Sequence, residues 1–194
     1  MATPSASKVF VGRPKVGGAI FRAPIGTALP TSELTALDPA FIQQGHVDAD
    51  GFKRAITKAF NSIKAWGGEE VAKPRTELSV SAAFNLIQTL DPDVNKTVFG
   101  SDAVAVTEPT PTAGTKIAVA FDGADLPPSA WVVDLAQGTR IRRIVFGNAE
   151  IATEAFEQVF KDDELEMYPV ELAIYRDASD VFFYDYSDDG VKTA

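Results

Sequence analysis

The chain has 194 residues, 45% of them apolar, with no cysteine, a single histidine and a formal charge of −9. That length and apolar content predict one main domain with its own core, and the missing cysteines exclude a disulfide framework, a thiolate metal site and a thiol nucleophile. No window approaches the ~20 apolar residues of a membrane-crossing helix and the first eight residues lack the apolar run of a signal peptide, so a soluble protein with no membrane partner is expected.

The run from Pro14 to Pro30 is too rich in Pro and Gly for a helix or a central strand. It reads as an extended arm covering residues 1–30, the alternative being a disordered N-terminus. Ile20, Phe21, Ile25 and Leu29 are spread along it and cannot bury themselves against one another, so a neighbouring subunit is their expected surface. Residues 31–51 read as short turns and a brief strand near Gly45–Val47. From Phe52 to Ile63 the apolar residues fall near helical spacing, compatible with a helix or a long loop.

From Thr76, Leu78, Val80, Ala82, Phe84 and Leu86 alternate with a largely polar row, which predicts a long strand with one face on a core and the other in water. Asp91 as N-cap, Pro92 in the first turn, Val94 and Val98 on one stripe and Gly100 as the stop predict a short helix over 92–99. Further strands are expected at Ile117–Phe121, Trp131–Leu135, Ile141–Phe146, Glu154–Phe160, Glu164–Tyr175 and Val181–Tyr186, punctuated by Gly- and Asp-containing turns. About eight strands and one helix predict a mainly β protein, a β-sandwich or incomplete antiparallel barrel spanning residues 31–190 with a short tail at 191–194.

Chemistry is scarce. His46 is the only histidine, which argues against a catalytic triad or a two-histidine metal site; it reads as a turn or strand residue, and Val16-Gly17-Gly18 lacks the ending of a phosphate loop. Asp48-Ala49-Asp50-Gly51 lacks the remaining ligands of a calcium loop. The cluster Asp162, Asp163, Glu164 and Glu166 reads as a hairpin turn, with weak cation binding or an acid/base pair on a sugar as the alternatives. No catalytic residue, cofactor or metal is therefore expected. Arg140, Arg142 and Arg143 form a basic knot that either meets acidic side chains of a neighbouring subunit or shields a strand edge. Trp66, beside Gly67-Gly68, is either packed at a sharp bend or, if exposed, an interface anchor.

The run Pro14–Pro30, Ile63-Lys64-Ala65-Trp66-Gly67-Gly68, the turn Lys161-Asp162-Asp163-Glu164, Tyr168-Pro169 and Ser187-Asp188-Asp189-Gly190 occur in an order that resembles the major tail protein of long, non-contractile-tailed bacteriophages, most closely those of actinobacterial hosts. The resemblance spans roughly residues 11 to 190. It implies the tail-tube fold and a structural, non-enzymatic role in the virion, after synthesis in the host cytoplasm. Six subunits would form a ring, each lending about four strands to an inner barrel, and rings would stack into the tube that conducts the genome. It further implies that 53–68 is a long mobile loop which, with the arm, reaches adjacent rings. The implied partners are other copies, the tape measure, terminator and distal tail proteins, and double-stranded DNA in transit.

Charge fits that expectation. Residues 1–147 hold 15 basic and 14 acidic side chains, whereas residues 148–194 hold 3 and 13. Such an acidic quarter repels phosphate, which argues against a nucleic-acid binder but suits a conduit that must not grip DNA. Glu154, Glu157, Glu166 and Glu171 are the candidate lumenal carboxylates, plain solvent exposure being the alternative. The rival function is a monomeric β-sandwich module binding a host surface or carbohydrate.

Overall fold

The computed structural model of the protein describes residues 8–15 and 18–191. Residues 1–7, Val16 and Gly17 of the expected arm and residues 192–194 of the expected tail lie outside them. In chain order the elements are β1 (Ile20–Pro24), β2 (Ile42–Gln43), β3 (Lys53–Phe60), β4 (Ile63–Lys64), β5 (Glu70–Ala72), β6 (Arg75–Leu86), α1 (Pro92–Phe99), β7 (Val104–Thr107), β8 (Lys116–Val119), β9 (Ser129–Gln137), β10 (Arg140–Ile151), β11 (Tyr168–Ile174) and β12 (Tyr184–Asp188). The architecture is mainly β, as the alternating pattern predicts, and the strand pairs are antiparallel.

An eight-stranded sheet runs β2-β1-β9-β10-β11-β6-β3, with β12 also on β10. Strand β10 serves two halves. Its first part, from Arg140 to Phe146, pairs with β9 and β12; after an irregularity between Phe146 and Ala149 its last residues pair with β11. The bend passes through Gly147, where a Cβ would fall 2.9 Å from the Asp177 side chain and 3.0 Å from that of Leu29, so a side chain there must displace one of them.

The bend lets the halves face each other across one core. On β6, Val80, Ala82, Phe84 and Leu86 are buried in strict alternation and meet Val170, Leu172 and Ile174 of β11 on the same face. From the other half come Ile20, Trp131, Val133, Ile144 and Phe146. Phe84 and Trp131 touch edge to face with centroids 5.8 Å apart across the core, an arrangement that adds to simple burial. The first half is covered on its far face too: Ala23, Ala130, Val132 and Val145 pack with Phe41, Leu29 and Leu37. Double burial explains why β9 reads as an unbroken apolar run at Ala130–Val133 where β6 alternates.

Helix α1 forms as its signals predict. The Asp91 side chain accepts from the Asp93 backbone N–H, Pro92 opens the first turn and Gly100, at φ 93°, ends it. Val94 is fully buried in the core, and Asn95 accepts from the Tyr168 hydroxyl at 3.2 Å, so the helix closes one end of the sandwich.

Three expectations are corrected. Residues 20–24 of the expected arm form β1, hydrogen-bonded between β2 and β9. The prolines and glycines of that run fall around Ile20-Phe21-Arg22-Ala23 and not within it, which leaves four residues free to pair before Pro24 ends the strand. Residues 53–60 of the expected mobile loop form β3, paired along β6 from Lys53↔Ala83 to Phe60↔Arg75, because a twelve-residue partner overrides a weak helical spacing. The expected strand at Glu154–Phe160 and the start of the one at Glu164 are irregular instead. Phe156 there serves as a cover, its ring 5.6 Å from Phe99 and 5.7 Å from Tyr168.

Candidate functional site

The half made by β3, β6, β11 and the end of β10 buries one face only. Its free face is set by register: Lys53, Ala83 and Glu171 lie side by side on β3, β6 and β11, and Ala55, Ser81, Ala173 and Glu150 form the next rung across to β10. Thr57 beside Ser79 and Ala59 beside Glu77 continue it. The face is therefore paved with Ala, Ser and Thr and carries Glu77, Glu150 and Glu171 against Lys53. β3 is the end strand of the sheet order, so one of its sides is unpaired among the described residues.

Beyond this face β3 and β6 run on into the hairpin β4–β5. The Ala65 N–H donates to Glu69 O at 2.8 Å and Gly68 N–H to Ala65 O at 3.0 Å, closing a turn that holds Gly67 and Gly68 at φ 118° and 93°. These are left-handed values that favour glycine. Trp66 at the tip is fully exposed, and Ile63 and Val71 of the hairpin and Ile56 and Phe60 of β3 are each about half exposed. Of the two sequence readings for Trp66, the exposed one holds.

The other predicted contact residues scatter. Ile20 is buried in the core at 1% exposure, so in this conformation it cannot be offered to a neighbour. Phe21 and Leu29 pack against the second cluster, while Ile25 is exposed. The basic knot is separated by strand alternation. Arg143 is buried and donates to both Asp134 carboxylate oxygens at 2.6 and 2.8 Å, and to the carbonyls of Ser32 and Thr35. Arg142, on the opposite face, makes a two-pronged pair with Asp185 at 2.8 and 2.7 Å, which Arg54 joins at 3.1 Å. Arg140 donates to Val9 O. Arg142 and Arg143 are thus tied up within the chain, because each strand face supplies an acid that spacing along the sequence does not reveal.

Burial alone would raise the Asp185 carboxyl, but hydrogen bonds and charge from Arg142 and then Arg54 outweigh it and hold the group below the ordinary carboxylate value. Of the four predicted carboxylates, Glu171 lies on the free face. Glu154 and Glu157 are exposed on the irregular segment 152–167, and Glu166 accepts from Thr89 Oγ1 at 2.8 Å and from Gln158. Among the described residues no cluster of His, Asp and Glu could hold a metal ion, and no helix is long and apolar enough to cross a membrane.

The fold and this face define an antiparallel β-sandwich with one sheet bared. No family model matches the chain, and no curated protein sequence is significantly similar to it.

Proposed function

We propose that the chain is the subunit of a bacteriophage tail tube, a structural virion protein whose stacked rings conduct the genome during delivery. The observation that carries this reading is the bared sheet: four strands, one face in the core and the other paved with small side chains and excess carboxylate. Six copies joined edge to edge would make a barrel of about 24 strands, wider than the 16 to 18 that leave a channel in porins. Ala and Ser leave that bore smooth, and Glu77, Glu150 and Glu171 repel phosphate, so DNA slides without being held. The open side of β3 supplies an edge that a closed ring abolishes. The β4–β5 hairpin, with Trp66 at its tip, would dock on the adjacent ring, a head-to-tail contact that suits an open-ended filament. Tape measure, terminator and distal tail proteins would be its other partners.

The test is negative-stain electron microscopy of the concentrated, incubated protein. Hollow six-fold rings or tubes are expected. Small single particles, even after adding tail-initiation components, would instead support a monomeric binding module. Removing residues 62–72 should leave the sandwich folded and abolish stacking; deleting residues 1–30 is a poor test, since it removes β1.

A further inference from the structure

Arg22 is a cation without a counterion among the described residues. From β1 its guanidinium lies 5.8 Å from the centre of the Trp131 ring, donating from Nε to Ser129 Oγ at 3.1 Å and from Nη1 to Thr97 Oγ1 at 3.4 Å. It is in no ion pair among the described residues. Burial pushes its pKa below the ordinary arginine value. A guanidinium set among hydroxyls and an indole is an unusual resting state, because a charge partly withdrawn from water normally finds a partner.

Its surroundings hold further polar groups. Ser129 is 2% exposed, and its oxygen already accepts from Arg22 and from Trp131 Nε1 at 2.9 Å, so its hydroxyl proton is left to give away. Gln44 is 1% exposed; its Nε2 donates to Ile42 O at 3.0 Å while its Oε1 has no partner. Arg22, Gln44, Thr97 and Ser129 line one open pocket of about 320 Å³ between β1, α1 and residues 127–129, together with Lys96 and Asp93, which pair with each other at 3.4 Å and leave Arg22 as the excess charge. The pocket offers a fork of N–H donors and a spare hydroxyl proton.

We propose that this pocket binds a carboxylate, supplied by an acidic side chain of a second copy of the chain. A planar carboxylate matches the guanidinium fork of Arg22 with two parallel N–H···O bonds. The same chain supplies the other half of the contact. Glu154, Glu157, Asp162 and Asp163 are exposed on the irregular segment 152–167 and are in no ion pair among the described residues. Free cation and free acids on different patches of one molecule pair between copies, in a head-to-tail contact. The inference rests on the reading of the chain as a self-assembling subunit, and it assigns a polar lock to that assembly beside the exposed hairpin.

Two measurements test it. In the first, N-acetylglutamate is titrated into the unassembled protein while the arginine Nε–H resonances are followed, with acetate and inorganic phosphate in parallel. A saturable shift of Arg22, tighter for N-acetylglutamate than for phosphate, is expected; no shift overturns the site. In the second, sedimentation velocity compares wild type with R22Q and with a variant carrying E154Q, E157Q, D162N and D163N. Each should weaken self-association by about 30-fold or more, and combining them should add little further. Wild-type association in either variant overturns the second-copy occupant, as does a wild-type protein that binds the probe yet never self-associates. The second variant alters exposed side chains only, so it decides the matter even if R22Q unfolds. Because sedimentation reads association and not shape, micrographs lacking hollow tubes would remove the tube reading while Arg22-dependent association kept this one.

Discussion

The two halves of the bent sheet are built from the same chain under different rules. The half around β9 is buried on both faces, beneath the core on one side and residues 25–41 on the other, and holds a buried ion pair, Asp134–Arg143. The half around β6 is buried on one face and paved with small polar side chains on the other. Stability is therefore concentrated in the first half, and the second has side chains free to serve something other than folding. The contrast teaches that an unlayered sheet face in a protein with ample apolar residues is a surface kept open, since the same chain covers the neighbouring half twice.

Mutations can sharpen that contrast. The largest loss is expected for Trp131→Ala, which empties the biggest fully buried side chain and strips Arg22 and Phe84 of their ring contact; about 5 kcal/mol should be lost in denaturant unfolding. Asp134→Ala leaves Arg143 charged and buried, and about 3–5 kcal/mol should go with it. Replacing both partners by apolar residues of similar volume should restore most of that loss. Should Asp134→Ala prove neutral, the doubly covered half would not be the anchor described here.

Asp185 reads the seam between the halves, since it ties Arg54 of β3 to Arg142 of β10. Its folded pKa is depressed, so the native state binds its proton more weakly than the unfolded chain does. Its stabilisation is complete above the unfolded carboxylate value of about 4 and is lost as pH falls through the folded value. Asp185→Asn should cost about 1 kcal/mol near neutral pH and nothing in strong acid, which melting curves across that range would show. The smallest effects belong to the bared half. Ser81→Ala and Trp66→Ala should each change folding stability by no more than about 0.5 kcal/mol, and a larger loss from either would mean that the open surface contributes to the core.

The sequence announces some of this and conceals the rest for physical reasons. The β6 alternation and the α1 caps are local signals, legible from neighbouring residues, and both hold. β1 was hidden because Pro14, Pro24 and the glycines around it dominate the composition of a run whose four central residues contain neither. β3 was hidden because its identity depends on β6, whose paired residues lie 15 to 30 positions further along the chain. The free face could be half read: the polar row of β6 was visible, but that Lys53, Ala83 and Glu171 share a rung follows only from pairing. Arg22, Arg142 and Arg143 carry no mark in sequence that tells a paired guanidinium from an unpaired one.

Strand β10 has a mechanical consequence. Because one continuous backbone runs through both halves, a force that separates them pulls on covalent bonds along the strand, and the flanking ladders resist in shear along their length. The ladder to β9 runs from Arg140 to Ala149, whereas that to β11 spans Ala149 to Ile151. Under such a load the shorter ladder is where yielding begins, and the bared sheet would peel from its neighbour before the bend at Gly147 straightens.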